Sequence, residues 1–306
     1  MHIFNVLVPV MLLIGLGSLL ARVRFIGPDL IGGLNKLTYW VALPALIFRA
    51  AAHAGTPPVS SFWIALAVTA ATLGTLALAA AAAGTLRLPA HERRTFVECA
   101  FFGNLAYIGL PILVHSLGLF SLGEKPELLA TAAIAMTMMT VVNNLLVLIV
   151  LQPRGLTPLH MAERLALNPV VMGGLLGIAW GSAGLALPVA ADRALQTLGG
   201  MAIPAALICI GGSLIAAPLR GRLGGISVAT VLKIAALPAA AWLLAKWFGL
   251  SPADTRIVLV FAACPTAAAA YTMASQMGGD EALAAGTVAA TTVAAFISLA
   301  VALAVT

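Results

Sequence analysis

The chain has 306 residues, of which 62% are hydrophobic and only 8% are charged, and its mean hydropathy is +1.08. Soluble domains carry about 25% charged residues, so this chain has too little polar surface to cover a water-soluble core. The composition excludes an ordinary soluble domain and indicates a protein embedded in a lipid bilayer. The formal net charge of +6 would suggest nucleic acid in a soluble protein. Here we expect basic loops at one membrane face instead, and no nucleic-acid partner.

Apolar runs bounded by charged residues, Pro and Gly predict ten transmembrane helices, since each crossing needs about 20 apolar residues. We expect the first run to be a membrane span rather than a signal peptide, because Arg22 and Arg24 follow it and no Lys or Arg precedes it. In chain order, the predicted helices 1 to 10 are Ile3–Ala21, Leu30–Phe48, Phe62–Ala83, Thr95–Leu117, Leu128–Leu151, Pro169–Leu187, Ala194–Ala217, Ile226–Phe248, Thr255–Met277 and Ala282–Val305.

Most basic residues fall in the loops that follow odd-numbered predicted helices. Loops rich in Lys and Arg stay in the cytoplasm, so both chain termini are predicted to lie outside, in the periplasm of a cell inner membrane. The basic residues of the odd loops are Arg22, Arg24, Arg87, Arg93, Arg94, Arg154, Arg164, Arg220 and Arg222.

The ten predicted helices divide into two halves of five. Residues 1–151 form the first repeat, 152–168 a cytoplasmic connecting loop, and 169–306 the second repeat. A half with an odd number of helices inserts upside down relative to its copy, so this repeat would be inverted. Prolines at corresponding places in the halves support it, namely Pro44 with Pro204 and Pro111 with Pro265.

Helices 4 and 9 contain residues that interrupt a membrane helix. Helix 4 has Gly103-Asn104 and then Pro111, and helix 9 has Cys264-Pro265-Thr266. Pro removes a backbone donor, and Gly lowers helix stability by about 1 kcal/mol. Half-helices at the membrane centre offer free amides and positively charged N-terminal ends, so paired breaks predict a transporter site at the midplane. The alternative is that these residues are ordinary kinks, since Pro and Gly are common in membrane helices.

These strings resemble the auxin efflux carrier family, within the bile/arsenite/riboflavin transporter superfamily. The resemblance covers essentially the whole chain. It implies two inverted five-helix repeats with helices 4 and 9 broken and crossing. It also implies a scaffold of helices 1, 2, 6 and 7 that forms a homodimer, and an elevator-like transport domain of helices 3–5 and 8–10. The strings are Asn35-Lys36-Leu37, Leu43-Pro44-Ala45-Leu46-Ile47-Phe48, Gly103-Asn104, Gly109-Leu110-Pro111, Asn168-Pro169 and Cys264-Pro265-Thr266-Ala267.

The resemblance also implies where a substrate would bind. Asn104 matches the family's crossover asparagine, which contacts the substrate carboxylate, and Pro111 and Pro265 match residues that shape the crossover. Many relatives have a second asparagine where this chain has Ala269, so the predicted site is less polar. Asn143 and Asn144 could instead join helices by hydrogen bonds. The predicted substrate-binding residues are Gly103, Asn104, Tyr107, Pro111, Asn143, Asn144, Pro265, Thr266 and Tyr271.

Some ionisable residues lie inside predicted spans, and Lys36, Glu98 and Lys233 among them are within about two turns of a cytoplasmic helix end. We expect Lys36 and Lys233 to extend toward the membrane surface, and Glu98 to pair with Arg94 four residues earlier. Glu98 is also the one carboxylate placed to relay a proton. No metal or cofactor site is predicted, because the cysteines lack ligand spacing; they are Cys99, Cys209 and Cys264.

The predicted function is a secondary transporter, most simply an exporter, of a small organic anion such as a dicarboxylate or an auxin-like aromatic carboxylate. The alternative is a sodium- or proton-coupled symporter of the bile acid type. Helix 9 has no acidic residue between Arg256 and Gly279 that could bind sodium. An intramembrane enzyme is not expected, because the chain has no His-Glu-x-x-His pair and no serine with an evident general base.

Overall fold

The computed structural model of the protein describes residues 3–117, 126–151, 163, 167–216 and 223–306. This part of the chain is helical and contains no strand, which confirms the all-helical class. The α-helices are α1 (Ile3–Arg22), α2 (Pro28–Leu37), α3 (Leu43–Ala52), α4 (Val59–Thr85), α5 (Ala90–Phe101), α6 (Leu110–Ser116), α7 (Pro126–Leu151), α8 (Pro169–Ser182), α9 (Val189–Gly200), α10 (Ala202–Ala216), α11 (Leu223–Val231), α12 (Leu237–Trp247), α13 (Pro252–Ala263), α14 (Ala269–Gln276) and α15 (Glu281–Ala304).

Each of the ten predicted runs coincides with one helix or with two consecutive helices of this series. Three shorter apolar helices are Leu7–Arg22, Leu105–Ser116 and Pro169–Ser182. The ten crossings and the inverted repeat remain predictions, and most of the connecting loop 152–168 lies outside the described residues. Six stretches of the described chain are long and apolar enough to cross a membrane, namely Pro28–Ala52, Val59–Thr85, Glu127–Leu151, Val189–Ser213, Leu223–Trp247 and Glu281–Ala304.

Three helical stretches in the described part of the chain contain a wide π-helical turn, and a Leu-Pro pair follows each one. The prolines after these turns are Pro44, Pro111 and Pro238. A proline inside a helix has no N–H, and its ring clashes with the carbonyl four residues earlier. The wider turn relieves this conflict, because the preceding leucine reaches one residue further back. In the turn before Pro238, for example, the Leu237 N–H bonds to the Leu232 carbonyl.

Polar side chains cap the start of several helices in the described part of the chain, including α8 and α15. Asn168 precedes α8, and its Oδ1 accepts hydrogen bonds from the N–H groups of Val170 and Val171 at 3.0 and 3.2 Å. Asp280 precedes α15 and accepts from the Leu283 N–H at 2.9 Å. These bonds satisfy amides that a helix cannot pair internally. The Asn168-Pro169 string is therefore a helix start, with the proline at the first position, where its missing N–H costs nothing.

The chain forms two compact units. The first contains the described residues of Met1–Phe62, Ala106–Val141 and Ala162–Ala216. Its helices pack closely at glycines. In α1, a Cβ on Gly17 would collide with the carbonyl oxygen of Ile208 in α10. In membranes, such close approach lets backbones make the packing contacts that the hydrophobic effect cannot supply.

A second row of glycines lies on α8, where Gly173 and Gly177 face α3. A Cβ at Gly173 would lie 2.8 Å from the Pro44 carbonyl oxygen, and one at Gly177 would lie 2.6 Å from that of Phe48. Four-residue spacing puts these glycines on one helix face, which is the small-residue pattern of tightly packed membrane helices. The sequence string Leu43–Phe48, which carries part of the family resemblance, therefore lies at the contact between α3 and α8.

The second unit contains the described residues of Trp63–Leu105, Val142–Met161 and Ala217–Thr306. Its centre is a cluster of buried apolar side chains from α4, α5, α7, α11, α14 and α15. Phenylalanines and leucines are the largest members, and alanines let the helices approach. The larger members include Phe96, Phe101, Phe102, Val147, Leu151 and Leu283.

Candidate functional site

Two helices of the second unit are interrupted, and their interruptions pair with each other. α5 ends at Phe101 and α13 ends at Ala263, and the next residue of each is extended. The segments 102–104 and 265–267 then run antiparallel, with Gly103 opposite Thr266. The Asn104 N–H bonds to the Pro265 carbonyl at 2.8 Å, and the Ala267 N–H bonds to the Phe102 carbonyl at 2.9 Å. We call segments 102–104 and 265–267 the crossover bridge.

The bridge explains how interrupted helices persist in an apolar environment. Helix breaks free backbone groups, and those groups must find partners within the protein when no water is at hand. The two reciprocal bonds use amides that the sequence analysis expected to be free for a substrate. The Asn104 and Ala267 N–H groups are therefore not available to a substrate.

Thr266 fixes the bridge to its surroundings through both its hydroxyl and its amide. Its Oγ1 donates to the Cys99 carbonyl in the last turn of α5 at 2.7 Å. Its N–H donates to the Thr291 hydroxyl oxygen of α15 at 3.1 Å. Thr266 and Thr291 are fully buried. The Thr266 hydroxyl, predicted to bind substrate, thus has a structural partner already.

Lys233 is a residue of this site whose role the sequence analysis missed. It lies in the π-helical turn Leu232–Ala236 and is completely buried. Its Nζ donates a hydrogen bond of 2.9 Å to the Ala262 carbonyl, one residue before the end of α13. A Cβ on Gly103 would lie 3.4 Å from the same nitrogen. The expectation that Lys233 extends to the membrane surface is wrong, because its ammonium turns inward to the bridge.

The structure brings four of the predicted residues together, and these are Gly103, Asn104, Pro265 and Thr266. Asn104 is 9% exposed, whereas Thr266 is 1% exposed. Gly103 is half-buried between two buried neighbours. The least covered point of the segment 102–104 is thus its glycine, which has no side chain to close it.

The other predicted residues lie in different surroundings. In the first unit, Tyr107 is half-buried and its hydroxyl donates to the Asn35 carbonyl at 3.4 Å. In the second unit, Tyr271 is 45% exposed, and its hydroxyl lies 3.4 Å from Oε2 of Glu281. On α7, Asn143 is buried and Asn144 is half-buried.

Pro111 is not located at the break of helix 4. The chain leaves the helix at Phe102 and passes through a π-helical turn, Leu105–Gly109, before Pro111 occurs as the second residue of α6. Gly103 and the pairing with helix 9 therefore define the interruption, and Pro111 accounts for the wide turn beyond it. Pro265, in contrast, lies within the bridge, where its carbonyl accepts the Asn104 N–H.

Glu98 is fully buried in α5, and neither of its carboxyl oxygens has a hydrogen-bond partner in the described part of the chain. The predicted ion pair with Arg94 is absent there. Arg94 instead directs Nη1 to the Leu151 carbonyl at 3.4 Å. A buried carboxyl group without a partner is costly if ionised, so it is suited to carrying a proton.

A group of possible metal ligands lies near the first turn of α5. One side-chain atom each of His91, Glu92 and Asp280 lies within 4.8 Å of the others. Asp280 already caps α15, and its N–H bonds to the Thr95 hydroxyl at 2.9 Å. Its position is thus explained by helix capping.

Comparison with known proteins agrees with the resemblance seen in the motifs. The family model described as "Membrane transport protein" matches residues 2–155 and 156–303. A protein of Rhizobium meliloti (strain 1021) named "Putative malonate transporter" is 25% identical over 309 aligned residues, covering 95% of this chain and 92% of the relative. The matched residues span nearly all of this multi-pass membrane protein, and the chain therefore belongs to the membrane transport protein family, the auxin efflux carriers, whose motifs it carries.

Proposed function

We propose that this protein is a secondary transporter that binds a small organic carboxylate at the crossover bridge. The observation that carries the proposal is the pairing of two interrupted helices at Gly103 and Thr266, with the Asn104 side chain and the Lys233 ammonium beside it. Interrupted helices inside a membrane protein characteristically mark the substrate site of secondary transporters. Membership of a transporter family supports the same reading.

The substrate class that we favour is a small dicarboxylate. The relative named for malonate covers almost the whole chain, which supports a substrate of that chemistry. An auxin-like aromatic carboxylate is the other candidate, because it shares the carboxylate group. The Asn104 amide would donate a hydrogen bond to the carboxylate, and bonds to charged groups are about twice as strong as neutral ones.

We further propose that helices 3–5 and 8–10 move as a transport domain against a scaffold of helices 1, 2, 6 and 7, and that the scaffold forms a homodimer. The family resemblance supports both ideas. If the scaffold forms a homodimer, light scattering of the purified protein should give the mass of two chains.

Export would follow from the membrane potential, because moving one negative charge outward across 100 mV gains about 2.3 kcal/mol.

The coupling ion defines a second candidate function, a proton-coupled symporter. Glu98 supports it, because its buried carboxyl group has no hydrogen-bond partner in the described chain. Glu98→Gln keeps the shape of the side chain but cannot exchange a proton. If Glu98 carries the coupled proton, this variant loses stimulation of transport by a pH gradient, whereas Glu127→Gln, at an exposed position of α7, keeps it. Equal stimulation in both variants would exclude Glu98.

Transport by purified protein in liposomes tests the proposed function. The wild-type protein should move labelled malonate, malate or an aromatic acetate across the membrane. Asn104→Ala should reduce this flux at least about tenfold, since a hydrogen bond to a carboxylate contributes about 1.5–3 kcal/mol. Gln196→Ala is the matched control, because it removes an amide from an exposed position of α9. Undiminished flux in Asn104→Ala would remove the proposed site.

A further inference from the structure

Lys233 carries a positive charge that the described part of the protein does not balance. Its ammonium has three N–H donors. Among the described residues it makes one hydrogen bond, to the Ala262 carbonyl, and no carboxylate lies within 4.0 Å. A charge inside a membrane protein is costly unless a partner compensates for it. The lack of a counter-charge among the described residues therefore indicates a functional role for Lys233.

Helix capping alone does not explain the charge. The Ala262 carbonyl belongs to the last turn of α13 and needs a donor, as the Cys99 carbonyl does in the last turn of α5. The neutral hydroxyl of Thr266 satisfies the Cys99 carbonyl. Since an uncharged donor suffices at one interrupted helix, the charge of Lys233 at the other exceeds what capping requires.

The position of the ammonium relates it to the crossover bridge. A Cβ added to Gly103 would lie 3.4 Å from Nζ and 3.5 Å from Cε of Lys233, which is ordinary van der Waals contact. Gly103 is half-buried, whereas Phe102 and Asn104 on either side are buried. The charge thus lies directly behind the least covered residue of segment 102–104, with only a glycine between.

We propose that Lys233 sets the charge preference of the anion site, by favouring a dianion over a monoanion through Gly103. The inference rests on the proposed function, because it takes the crossover bridge as the carboxylate site. Lys233 is a positioning residue in this scheme and does not touch the substrate. Its charge acts across a short distance in a medium of low dielectric constant, where Coulomb interactions are several times stronger than in water.

The test compares two probes of nearly equal shape and different charge. Malonate is a dianion near neutral pH, and malonamate, in which an amide replaces one carboxylate, is a monoanion. Wild-type protein in liposomes should prefer malonate, and Lys233→Gln should lower the ratio of malonate to malonamate affinity by about tenfold or more. Glutamine can still donate to the Ala262 carbonyl. Lys246→Gln, at an exposed position near the end of α12, should keep the wild-type ratio.

Gly103→Ala is a second variant that keeps the charge. The added methyl group would lie against Nζ without a clash, between the ammonium and the anion site. It should therefore also lower the ratio of malonate to malonamate affinity. A structural role of Lys233 would weaken both probes equally and leave the ratio unchanged in both variants, which would overturn the proposal. If wild-type protein bound neither probe, the favoured dicarboxylate substrate would fail and this inference with it, whereas transport of an aromatic acetate would still support the proposed function.

Discussion

The side-chain hydroxyl of Thr266 donates a 2.7 Å hydrogen bond to the main-chain carbonyl of Cys99. The bond joins the two interrupted helices independently of the main-chain pairing at Gly103. It also completes the end of α5, because a carbonyl in the last turn of a helix has no N–H partner from its own helix. Both groups are buried, so water cannot replace the bond.

Thr266→Val should therefore destabilise the protein and impair transport. Valine matches threonine in shape but leaves the Cys99 carbonyl without a donor, which costs about 1–3 kcal/mol. Thr287→Val is the matched control in α15. Its hydroxyl is equally buried, but bonds to the Leu283 carbonyl four residues earlier in its own helix. Thermal unfolding of the purified proteins measures the difference, and equal melting temperatures would contradict the role given to Thr266.

The helices of this fold follow from the sequence, whereas the contacts between them do not. Long apolar runs gave the helical stretches, and Asn168-Pro169 has the residue types of a helix start. The wide turn before Pro111 could have been anticipated from the missing proline N–H. The break at Gly103 was anticipated, but its pairing with Thr266 depends on a partner far away in the chain.

Lys233 shows most clearly why sequence was insufficient. Its distance along the helix from the predicted membrane surface favoured an extended side chain that reaches the lipid headgroups. The inward position depends on Ala262 and Gly103, neither of which is near Lys233 in the sequence. Similarly, the four-residue spacing of Arg94 and Glu98 permits an ion pair, but Arg94 bonds to the Leu151 carbonyl of α7. Tertiary contacts decided both cases.

Gly17→Ala should destabilise the first unit, because the added methyl group would meet the main-chain oxygen of Ile208. A backbone atom cannot move aside as a flexible side chain can, so α1 and α10 must separate, at a cost of about 1–3 kcal/mol. The control is Gly15→Ala, two residues earlier in α1, where the new methyl group would have nothing within 4 Å. Alanine also has a higher helix propensity than glycine, so Gly15→Ala should not weaken α1. Only Gly17→Ala should lower the melting temperature; a similar loss in both variants would argue against the close contact.

Asp192→Asn should loosen the attachment of α9 to α3. Oδ1 and Oδ2 of Asp192 accept hydrogen bonds from Nε and Nη2 of Arg49 at 2.7 and 3.0 Å, and His53 Nε2 lies 2.7 Å from Oδ1. The side chains of Arg49 and Asp192 are 14% and 22% exposed, so solvent screens the pair only in part. We expect a loss of about 1–2 kcal/mol.

The control for Asp192→Asn is Asp29→Asn, which removes the same charge from an exposed position in the first turn of α2. Denaturation of both variants in detergent measures the difference. Arg49→Lys should behave like Asp192→Asn, because lysine cannot form two parallel bonds to a carboxylate. Unchanged stability in Arg49→Lys would mean that the paired geometry contributes nothing.

The orientation of the chain can be tested by labelling single introduced cysteines. The native cysteines Cys99, Cys209 and Cys264 are all buried, so a membrane-impermeant thiol reagent should not reach them in the folded protein. Thr56 and Phe25 are exposed in the turns after α3 and α1, respectively. Because basic residues follow the odd-numbered predicted helices, the turn with Phe25 should face the cytoplasm and that with Thr56 the outside. In right-side-out vesicles, only Thr56→Cys should be labelled, and Phe25→Cys should become reactive when the membrane is opened. The reverse pattern would place both termini in the cytoplasm, since ten crossings return the chain to the side where it began.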